Sequence, residues 1–299
     1  MAANFWESTQ RRHWQFSKDE LAQMRENLEE SEQSLVQMFP LPQRRHLNIY
    51  FNQLTGVSEL GRLGKRLGVR QQALATAQTY LKRFYCTVEI RRTNPYLVIA
   101  TALYLALDSL TLDISRLGEC EFYMISEMHS QLIVHQPYRT LTSLQSDLFL
   151  SQDEANLALS IVNDHYMTDL PLLYPPHIIA LTAILLALVL RPNSPGGTAT
   201  NLAAATAALV QAQSQVPART GGSSQHTTGV SDKERQQEAR LNKVQRYAGF
   251  LTESNVDIEG MVDCTQELIS FYECHEQYND KITREQINRF VKARGLDKP

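Results

Sequence analysis

Two copies of a helix pair lie in tandem along this chain of 299 residues. In each copy an amphipathic stretch leads through a proline, Pro95 or Pro176, into a stretch that is apolar nearly all round. The two apolar stretches share residues at equivalent positions: Thr101, Ala102, Leu105, Ala106 and Leu107 against Thr182, Ala183, Leu186, Ala187 and Leu188. A helix without a polar face has to be surrounded by other helices. The sequence therefore predicts two tandem helical repeats, each built round a buried central helix.

Helical periodicity continues outside the two apolar stretches. One apolar stripe marks a helix from Arg70 to Tyr85, with members three or four residues apart: Leu74, Ala77, Leu81 and Phe84. Asn94 is placed to cap the first central helix, with Pro95 in its first turn. Ser151 and Glu154 form the pattern of a capping box. No series of strands and turns is recognisable, so the predicted fold class is all-α.

The composition of the chain predicts how it is organised. Residues 1–30 are predicted to form a helical extension, 31–132 the first repeat, and 133–299 the second repeat with the C-terminal helices. Residues 192–218 contain no charged residue and are rich in Ala, Ser, Thr, Gln, Gly and Pro. This composition is typical of a low-complexity loop, and we expect such an insertion over 192–230.

Charge and cysteine usage exclude several classes of protein. With 29 basic and 32 acidic residues the formal net charge is −3, so the chain has no global basic field for duplex nucleic acid. None of the four cysteines belongs to a C-x-x-C pair, which predicts neither a disulfide framework nor a metal site. The longest apolar run, Ile178 to Leu190, is shorter than the about 20 residues that span a bilayer. The N-terminus lacks the apolar run of a secretory signal.

Motifs for catalysis are also absent from the sequence. Neither G-x-S-x-G nor H-E-x-x-H occurs. The basic stretch Gly61–Gly68 has too short a spacing for a P-loop, and no Ser or Thr follows Lys65. The sequence predicts a protein with no catalytic residues and no cofactor.

Two features place polar or aromatic residues where a partner could bind. Glu119 and Glu121 interrupt an apolar helix pattern and, two positions apart, point in different directions. Either both carboxylates are solvated, or one of them faces a cation on a partner. Trp6 and Trp14 lie outside the repeats, where they either form a docking element or pack on their own domain.

Several motifs, together with the tandem repeat, identify the chain as a member of the cyclin C family. The motifs that resemble this family are NFW from Asn4, RQQALATAQTYLKRFY from Arg70, LGECEFYMISE from Leu117, LIVHQPYRTL from Leu132, IVNDHYMTDLPLLYPPHIIAL from Ile161 and DCTQELISFYECHEQYND from Asp263. EQINRFVKARGLDK from Glu285 and the low-complexity insertion resemble the fungal branch of the family. The resemblance covers nearly the whole chain apart from residues 192–230.

The resemblance implies two cyclin boxes of five helices each and a regulatory, non-catalytic role. Cyclins of this family activate the cyclin-dependent kinase of the Mediator kinase module by holding its regulatory helix inward. They also contact other subunits of that module and regulate RNA polymerase II transcription in the nucleus, with no direct nucleic-acid or membrane partner. The implied kinase-contact candidates are Phe5, Trp6, Trp14, Leu105, Glu121 and Ile125. The implied partner-contact candidates associated with the second box are Tyr138, Arg139 and Asp169.

The first box departs from the family pattern after Leu105 and Ala106. Family members continue with an L-A-x-K-x-E-E-like segment, and its Lys and paired Glu have no counterpart in Leu107–Asp113. Residues 108–114 can form only about two helical turns, roughly 10 Å. The first box is therefore predicted to be one helix short.

Two explanations of this shortening stay open. The sequence derives either from a missed exon or splice error, or from a real isoform that does not activate its kinase. A further class, the cyclin-fold general transcription factors, would need basic stripes on the second repeat and usually a zinc ribbon. This chain, with a pI of about 6.3 and no C-x-x-C, has neither.

Overall fold

The computed structural model describes residues 4–56, 69–107, 115–190 and 232–297. Three segments that the sequence singles out lie outside these ranges: the insertion at 192–230, the basic stretch Gly61–Gly68, and residues 108–114. Within the described ranges every regular element is a helix, so the predicted all-α class is confirmed.

The helices are numbered here in chain order. The α-helices of the described residues are α1 (Thr9–His13), α2 (Lys18–Ser31), α3 (Gln33–Met38), α4 (Arg44–Gly56), α5 (Gln71–Thr87), α6 (Pro95–Ala106), α7 (Ser115–Glu127), α8 (Tyr138–Asp147), α9 (Gln152–Asp164), α10 (Leu170–Leu173), α11 (Pro176–Val189), α12 (Asp232–Glu253), α13 (Ile258–Gln277) and α14 (Asp280–Ala293). Short 3₁₀ helices cover Phe5–Glu7, Ile90–Arg92 and His165–Met167.

The chain divides into two compact units. The first combines the residues up to Gln136 with Asn163–Pro176 and the residues from Glu267 onward. The second consists of Pro137–Val162 and His177–Gln266. These spatial units divide the chain differently from the sequence repeats, because each also takes up residues distant along the chain. The box boundaries given by the repeats stay a prediction.

Side-chain caps begin the helices as the sequence predicts. The Asn94 carboxamide oxygen accepts from the Tyr96 N–H at 3.1 Å, which starts α6 beside Pro95. At α9 the Glu154 N–H donates to the Ser151 hydroxyl at 3.3 Å, and the Ser151 N–H donates to the Glu154 carboxylate at 2.8 Å. Both predicted caps are therefore confirmed.

Helix α5 lies at the centre of the first unit. Of the stripe residues, Ala77, Leu81 and Phe84 are buried, as predicted, whereas Leu74 is half-buried. The amphipathic pattern is incomplete, however, because every residue from Ala77 to Cys86 is buried, including Lys82. The polar face of α5 is covered, so it is a fully enclosed helix in its second half.

The two central helices of the repeats differ in how completely they are buried. All residues of α11 from Ile178 to Val189 are buried, as a helix without a polar face predicts. In α6, Val98 to Leu103 are mostly buried, but the C-terminal end from Tyr104 to Leu107 is only half-buried. The expectation of a completely surrounded helix is thus met by α11 and not by α6, whose last turn faces partly into solvent.

The second unit surrounds α11 with apolar and paired polar groups. The buried Tyr247 hydroxyl of α12 donates to the Leu181 carbonyl oxygen at 2.8 Å. The Lys243 ammonium contacts the Glu154 carboxylate at 2.7 Å. Burial raises the pKa of the Tyr247 hydroxyl well above its usual value, so this group stays a neutral donor.

All four cysteines lie within the described residues. Cys86, Cys120 and Cys264 are buried free thiols, while Cys274 is half-buried rather than fully buried. In the part of the chain that the structure describes, none of the helices combines the length and the apolar character needed to cross a membrane.

The repeat provides a matched pair of leucines for testing this asymmetry. We expect Leu186→Ala in α11 to lower the free energy of unfolding by ~2–5 kcal/mol, because it leaves a cavity in a closed core. The equivalent Leu105→Ala in α6 should cost less than ~1.5 kcal/mol, because Leu105 is only half-buried. Urea unfolding of both variants measures the difference. Equal losses would contradict the partial exposure of α6.

Candidate functional site

Helix α7 presents an exposed apolar surface in the first unit. Its inner positions, including Cys120 and Met124, are buried, whereas Phe122 is 76% exposed and Tyr123 is 38% exposed. Isolated exposed aromatics are ordinary, but two in succession on a helix mark a surface that a partner could cover. The Tyr123 ring contacts Phe84 edge-on at 5.4 Å between centroids, which fixes one end of this surface on the core.

The two glutamates of α7 have different surroundings. Glu119 is exposed, and Glu121 is half-buried on the same face as Ile125, one turn later. Among the described residues Glu121 has no hydrogen-bond or ion-pair partner. Leu105 is half-buried on α6, the helix that packs against α7. Three kinase-contact candidates, Leu105, Glu121 and Ile125, thus lie on two helices that pack against each other.

The N-terminal segment is attached to the stretch that follows α7. The Phe5 ring lies edge-on to Trp6 at 5.4 Å and to His135 at 5.7 Å. The Gln10 side chain donates to the His135 carbonyl oxygen at 3.4 Å and accepts from the His135 N–H at 2.5 Å. Trp6 remains 59% exposed. Phe5 and Trp6 therefore form an aromatic pair that contacts His135 through Phe5 and stays exposed at Trp6.

Trp14 has a different role from the one implied by the resemblance. Its side chain is only 3% exposed and packs edge-on against Phe16 at 6.4 Å. The Arg83 guanidinium lies 5.4 Å from the Trp14 ring centroid. The sequence left open whether Trp14 docks on a partner or packs on its own unit, and the structure shows that it packs on its own unit. It is therefore not part of the exposed candidate surface.

Arg83 is a positioning residue that the sequence patterns did not single out. Its side chain is fully buried and donates to the Gln131 and Ile133 carbonyl oxygens at 2.7 and 3.0 Å. Desolvation lowers the pKa of Arg83 to about 10, so the guanidinium is still charged at neutral pH. These bonds hold the backbone between α7 and His135, against which the N-terminal segment packs.

Asp169 belongs to an internal ion-pair network. Both Arg25 guanidinium NH₂ groups donate to its carboxylate at 2.9 Å, and the Asn48 amide donates at 3.0 Å. Burial alone would raise the pKa of the Asp169 carboxyl, but the charges of Arg25 and Lys82 hold it well below its usual range. With its side chain 15% exposed, Asp169 joins segments of the first unit instead of presenting a free carboxylate to a partner.

The remaining candidates, Tyr138 and Arg139, begin α8 in the second unit. Tyr138 is half-buried and Arg139 is exposed. Within the described ranges no group of three or more His, Cys, Asp or Glu side chains could hold a metal ion. The candidate residues that stay exposed or half-buried lie on helix surfaces and on the N-terminal segment.

The chain is similar in sequence to a known protein family and to several named fungal proteins. Residues 21–149 match the family described as "Cyclin, N-terminal domain". A protein of Neurospora crassa called "RNA polymerase II holoenzyme cyclin-like subunit" is 58% identical, with 100% of each chain covered. Proteins of the same name from Gibberella moniliformis and Aspergillus fumigatus are 57% and 47% identical, again with 100% of each chain covered.

Two solved structures have a similar fold. A chain of the yeast TFIIK (Kin28/Ccl1/Tfb3) complex has a TM-score of 0.55 at 15% identity, covering 88% of this chain and 100% of that chain. A chain of the CAK complex of Chaetomium thermophilum has a TM-score of 0.51 at 18% identity, covering 95% and 88%. At these identities the likeness concerns the fold alone.

The Asp169 network makes a testable contribution to stability. We expect Asp169→Asn to lower the free energy of unfolding by ~2–3 kcal/mol at pH 7, since Arg25 loses a partly buried partner. Because the pKa of Asp169 is lower in the folded state, this contribution is complete above the unfolded pKa and is lost as the pH falls below about 4. Denaturant unfolding of both proteins between pH 3 and 7 measures it.

The matched control for this experiment is Glu26→Gln, one residue from Arg25 on the exposed side of α2. We expect it to change the free energy of unfolding by less than ~0.5 kcal/mol. A difference between wild type and Asp169→Asn that stays constant down to pH 3 would contradict an ionised, stabilising carboxylate.

Proposed function

The chain belongs to the cyclin family, among the RNA polymerase II holoenzyme cyclin-like subunits, and we propose that it is the regulatory subunit of a cyclin-dependent kinase. In this proposal the kinase is that of the Mediator kinase module, and the complex regulates RNA polymerase II transcription in the nucleus. The chain contributes surfaces to the kinase and no catalytic group. Other subunits of the module bind the same complex.

The observation that carries the proposal is the surface formed by α6 and α7. On α7 the half-buried Glu121 carboxylate, which has no partner among the described residues, adjoins the exposed Phe122 and lies one turn before the half-buried Ile125. Aromatic side chains supply contact area at low conformational cost, and a carboxylate at the edge of an apolar surface selects a partner with a cation. A helix of the kinase that carries a basic residue fits these requirements.

Regulation by such a surface requires no chemistry from the cyclin. A kinase is active when its regulatory helix is turned inward, so that the Lys–Glu ion pair at the ATP site can form. A protein that binds this helix only in its inward position shifts the population toward the active state. The rigid packing of α7 on α6 through buried residues such as Met124 supports this role.

The N-terminal aromatic pair is the second proposed contact. Phe5 and Trp6 are held beside His135, and Trp6 keeps more than half of its side chain exposed. The cyclin C resemblance assigns kinase contacts to this region. We propose Trp6 as the exposed anchor, with Phe5 and Gln10 as the residues that position it.

A competing proposal is that this chain is a non-activating or defective variant of that cyclin. Helix α6 ends at Ala106 and α7 begins at Ser115, and the family's Lys and paired Glu have no counterpart in the sequence between them. The half-exposed end of α6 supports a first box that lacks a covering helix. The resemblance to cyclin C implies that the family's partner-facing Glu corresponds to Glu121, so in that case this carboxylate remains without the partner-facing Lys of the family.

Co-expression with the Mediator kinase tests both proposals. We expect the chain to bind the kinase weakly, and a version with a family-length first box to form a 1:1 complex that survives gel filtration. We expect the longer version to bind the kinase more tightly because it restores the Lys of the family pattern and covers the exposed flank of α6. If neither version binds while both are folded, as judged by circular dichroism, the assignment as a kinase subunit is wrong.

The two glutamates of α7 supply a matched charge reversal in the binding-competent version. Glu121→Lys should weaken kinase binding by at least about 30-fold, because it opposes a cation within the interface. Glu119→Lys, two residues away and exposed, should change the affinity less than about threefold. Affinities come from surface plasmon resonance at fixed ionic strength. Equal effects of the two substitutions would remove Glu121 from the proposed interface.

A further inference from the structure

Three cations of the first unit lie around one carboxylate, and of these Lys82 is buried, whereas Arg25 and Arg44 are half-buried. Arg25, Arg44 and Lys82 interact electrostatically with the single carboxylate of Asp169. Only Arg25 forms an ion pair with it. The side chains of Arg44 and Lys82 have no hydrogen-bond or ion-pair partner among the residues that the structure describes. Two cations therefore share a desolvated region with no acceptor of their own.

These two cations cannot both escape the cost of burial by losing a proton. Desolvation lowers the pKa of Lys82 to about 8, which leaves it mostly charged at neutral pH. Desolvation and the nearby Arg25 also lower the pKa of Arg44, but a guanidinium keeps its proton at any physiological pH. The Nε atom of Arg44 is buried without a hydrogen-bond partner. An unsatisfied buried donor of this kind is costly unless something binds it.

Two cavities adjoin Arg44, and they differ greatly in size. The inner one, next to Lys82 and Gln78, has a volume of about 10 Å³. This is room for a single water molecule. The outer one, between α2, the start of α4 and the end of α5, has a volume of about 120 Å³. It is open enough for a ligand group, and we call it the Arg44 cleft.

The walls of the Arg44 cleft indicate what kind of group it takes. Its lining includes the cations Arg25 and Arg44 and the apolar side chains of Leu28, Leu41 and Leu47. Of its other charged residues, Arg91 and Glu89 pair with each other. Glu29 is exposed at the rim, where solvent screens its charge. The cleft thus offers both cations and apolar side chains to the same ligand.

We propose that the Arg44 cleft binds a phosphorylated side chain of a partner peptide. A phosphate monoester carries about −1.5 to −2 charges at neutral pH, and in this cleft it would give the Arg44 guanidinium the acceptor that it lacks among the described residues. Arginine suits phosphate because its planar fork donates two parallel hydrogen bonds. The apolar side chains favour a peptide with an apolar residue beside the phosphorylated one over free phosphate. This site is independent of the proposed kinase surface on α6 and α7.

Calorimetric titration of the full-length chain tests the proposal with three probes. These are inorganic phosphate, a phosphoserine tripeptide with a flanking leucine, and the same tripeptide with glutamate in place of phosphoserine. We expect the phosphopeptide to bind at least about tenfold more tightly than either other probe. Inorganic phosphate that binds as tightly as the phosphopeptide would show a site for the free ion and overturn the docking of a peptide.

Two neighbouring arginines on α4 provide a matched pair of variants. Arg44→Gln should weaken phosphopeptide binding by at least about tenfold. Arg45→Gln removes the same charge, but Arg45 pairs with Glu267 away from the cleft, and the affinity should change less than about twofold. Equal effects would show nonspecific attraction by net charge and overturn the proposal.

Asp169→Asn supplies a test with the opposite sign. It removes the only carboxylate that competes with phosphate for Arg25 in this network, so phosphopeptide affinity should rise at least about threefold even though the folded chain is less stable. Far-UV circular dichroism at the titration temperature confirms that the variant is folded. Lower or unchanged affinity in a folded Asp169→Asn chain would mean that these cations do not act on the ligand.

Discussion

The carboxylate of Asp169 connects three segments of the first unit that are remote in sequence. It accepts hydrogen bonds from Arg25 on α2 and Asn48 on α4, while Asp169 itself directly precedes α10. A second link lies nearby, where the Phe16 N–H donates to the Leu172 carbonyl oxygen at 2.8 Å. A partly buried ion pair stabilises a protein only when its remaining donors and acceptors are satisfied. The bidentate geometry at Asp169 satisfies both terminal nitrogens of Arg25, whereas the Arg25 Nε has no hydrogen-bond partner. The pair meets this condition only in part, and it ties α2 to the segment around Asp169.

Local sequence patterns were sufficient to predict the helices. The stripe on α5, the Asn94 cap of α6 and the capping box at Ser151 depend on residues within one or two helical turns of each other. The repeated apolar stretch identified both central helices for the same reason. Enclosure of α6 was predicted less well, because burial depends on what covers a helix as well as on its own composition.

The polar interior of the first unit could not be predicted from such patterns. Arg83 binds carbonyl oxygens more than forty positions away, and Asp169 pairs with an arginine near the N-terminus. No periodicity encodes partners so distant. One signal was present in the sequence, since Lys82 and Arg83 interrupt a helix whose neighbours Leu81 and Phe84 belong to the apolar stripe. Charges enclosed by core residues indicate either a buried network or an incorrect helix boundary.

The two units enclose their innermost helices, α11 in the second unit and the second half of α5 in the first, with different kinds of side chain. The second unit surrounds α11 with apolar side chains and a neutral tyrosine donor, Tyr247. The first unit buries Lys82 and Arg83 beside apolar residues. Arg83 donates to two backbone carbonyl oxygens, whereas Lys82 has no hydrogen-bond partner among the described residues. Apolar residues of similar volume could give equal stability, so the charges are not explained by stability alone. The charges have two effects that an apolar core could not have. Arg83 fixes the backbone that carries His135 and the aromatic pair, and the charge in excess around Arg44 gives the adjoining cleft its preference for an anion.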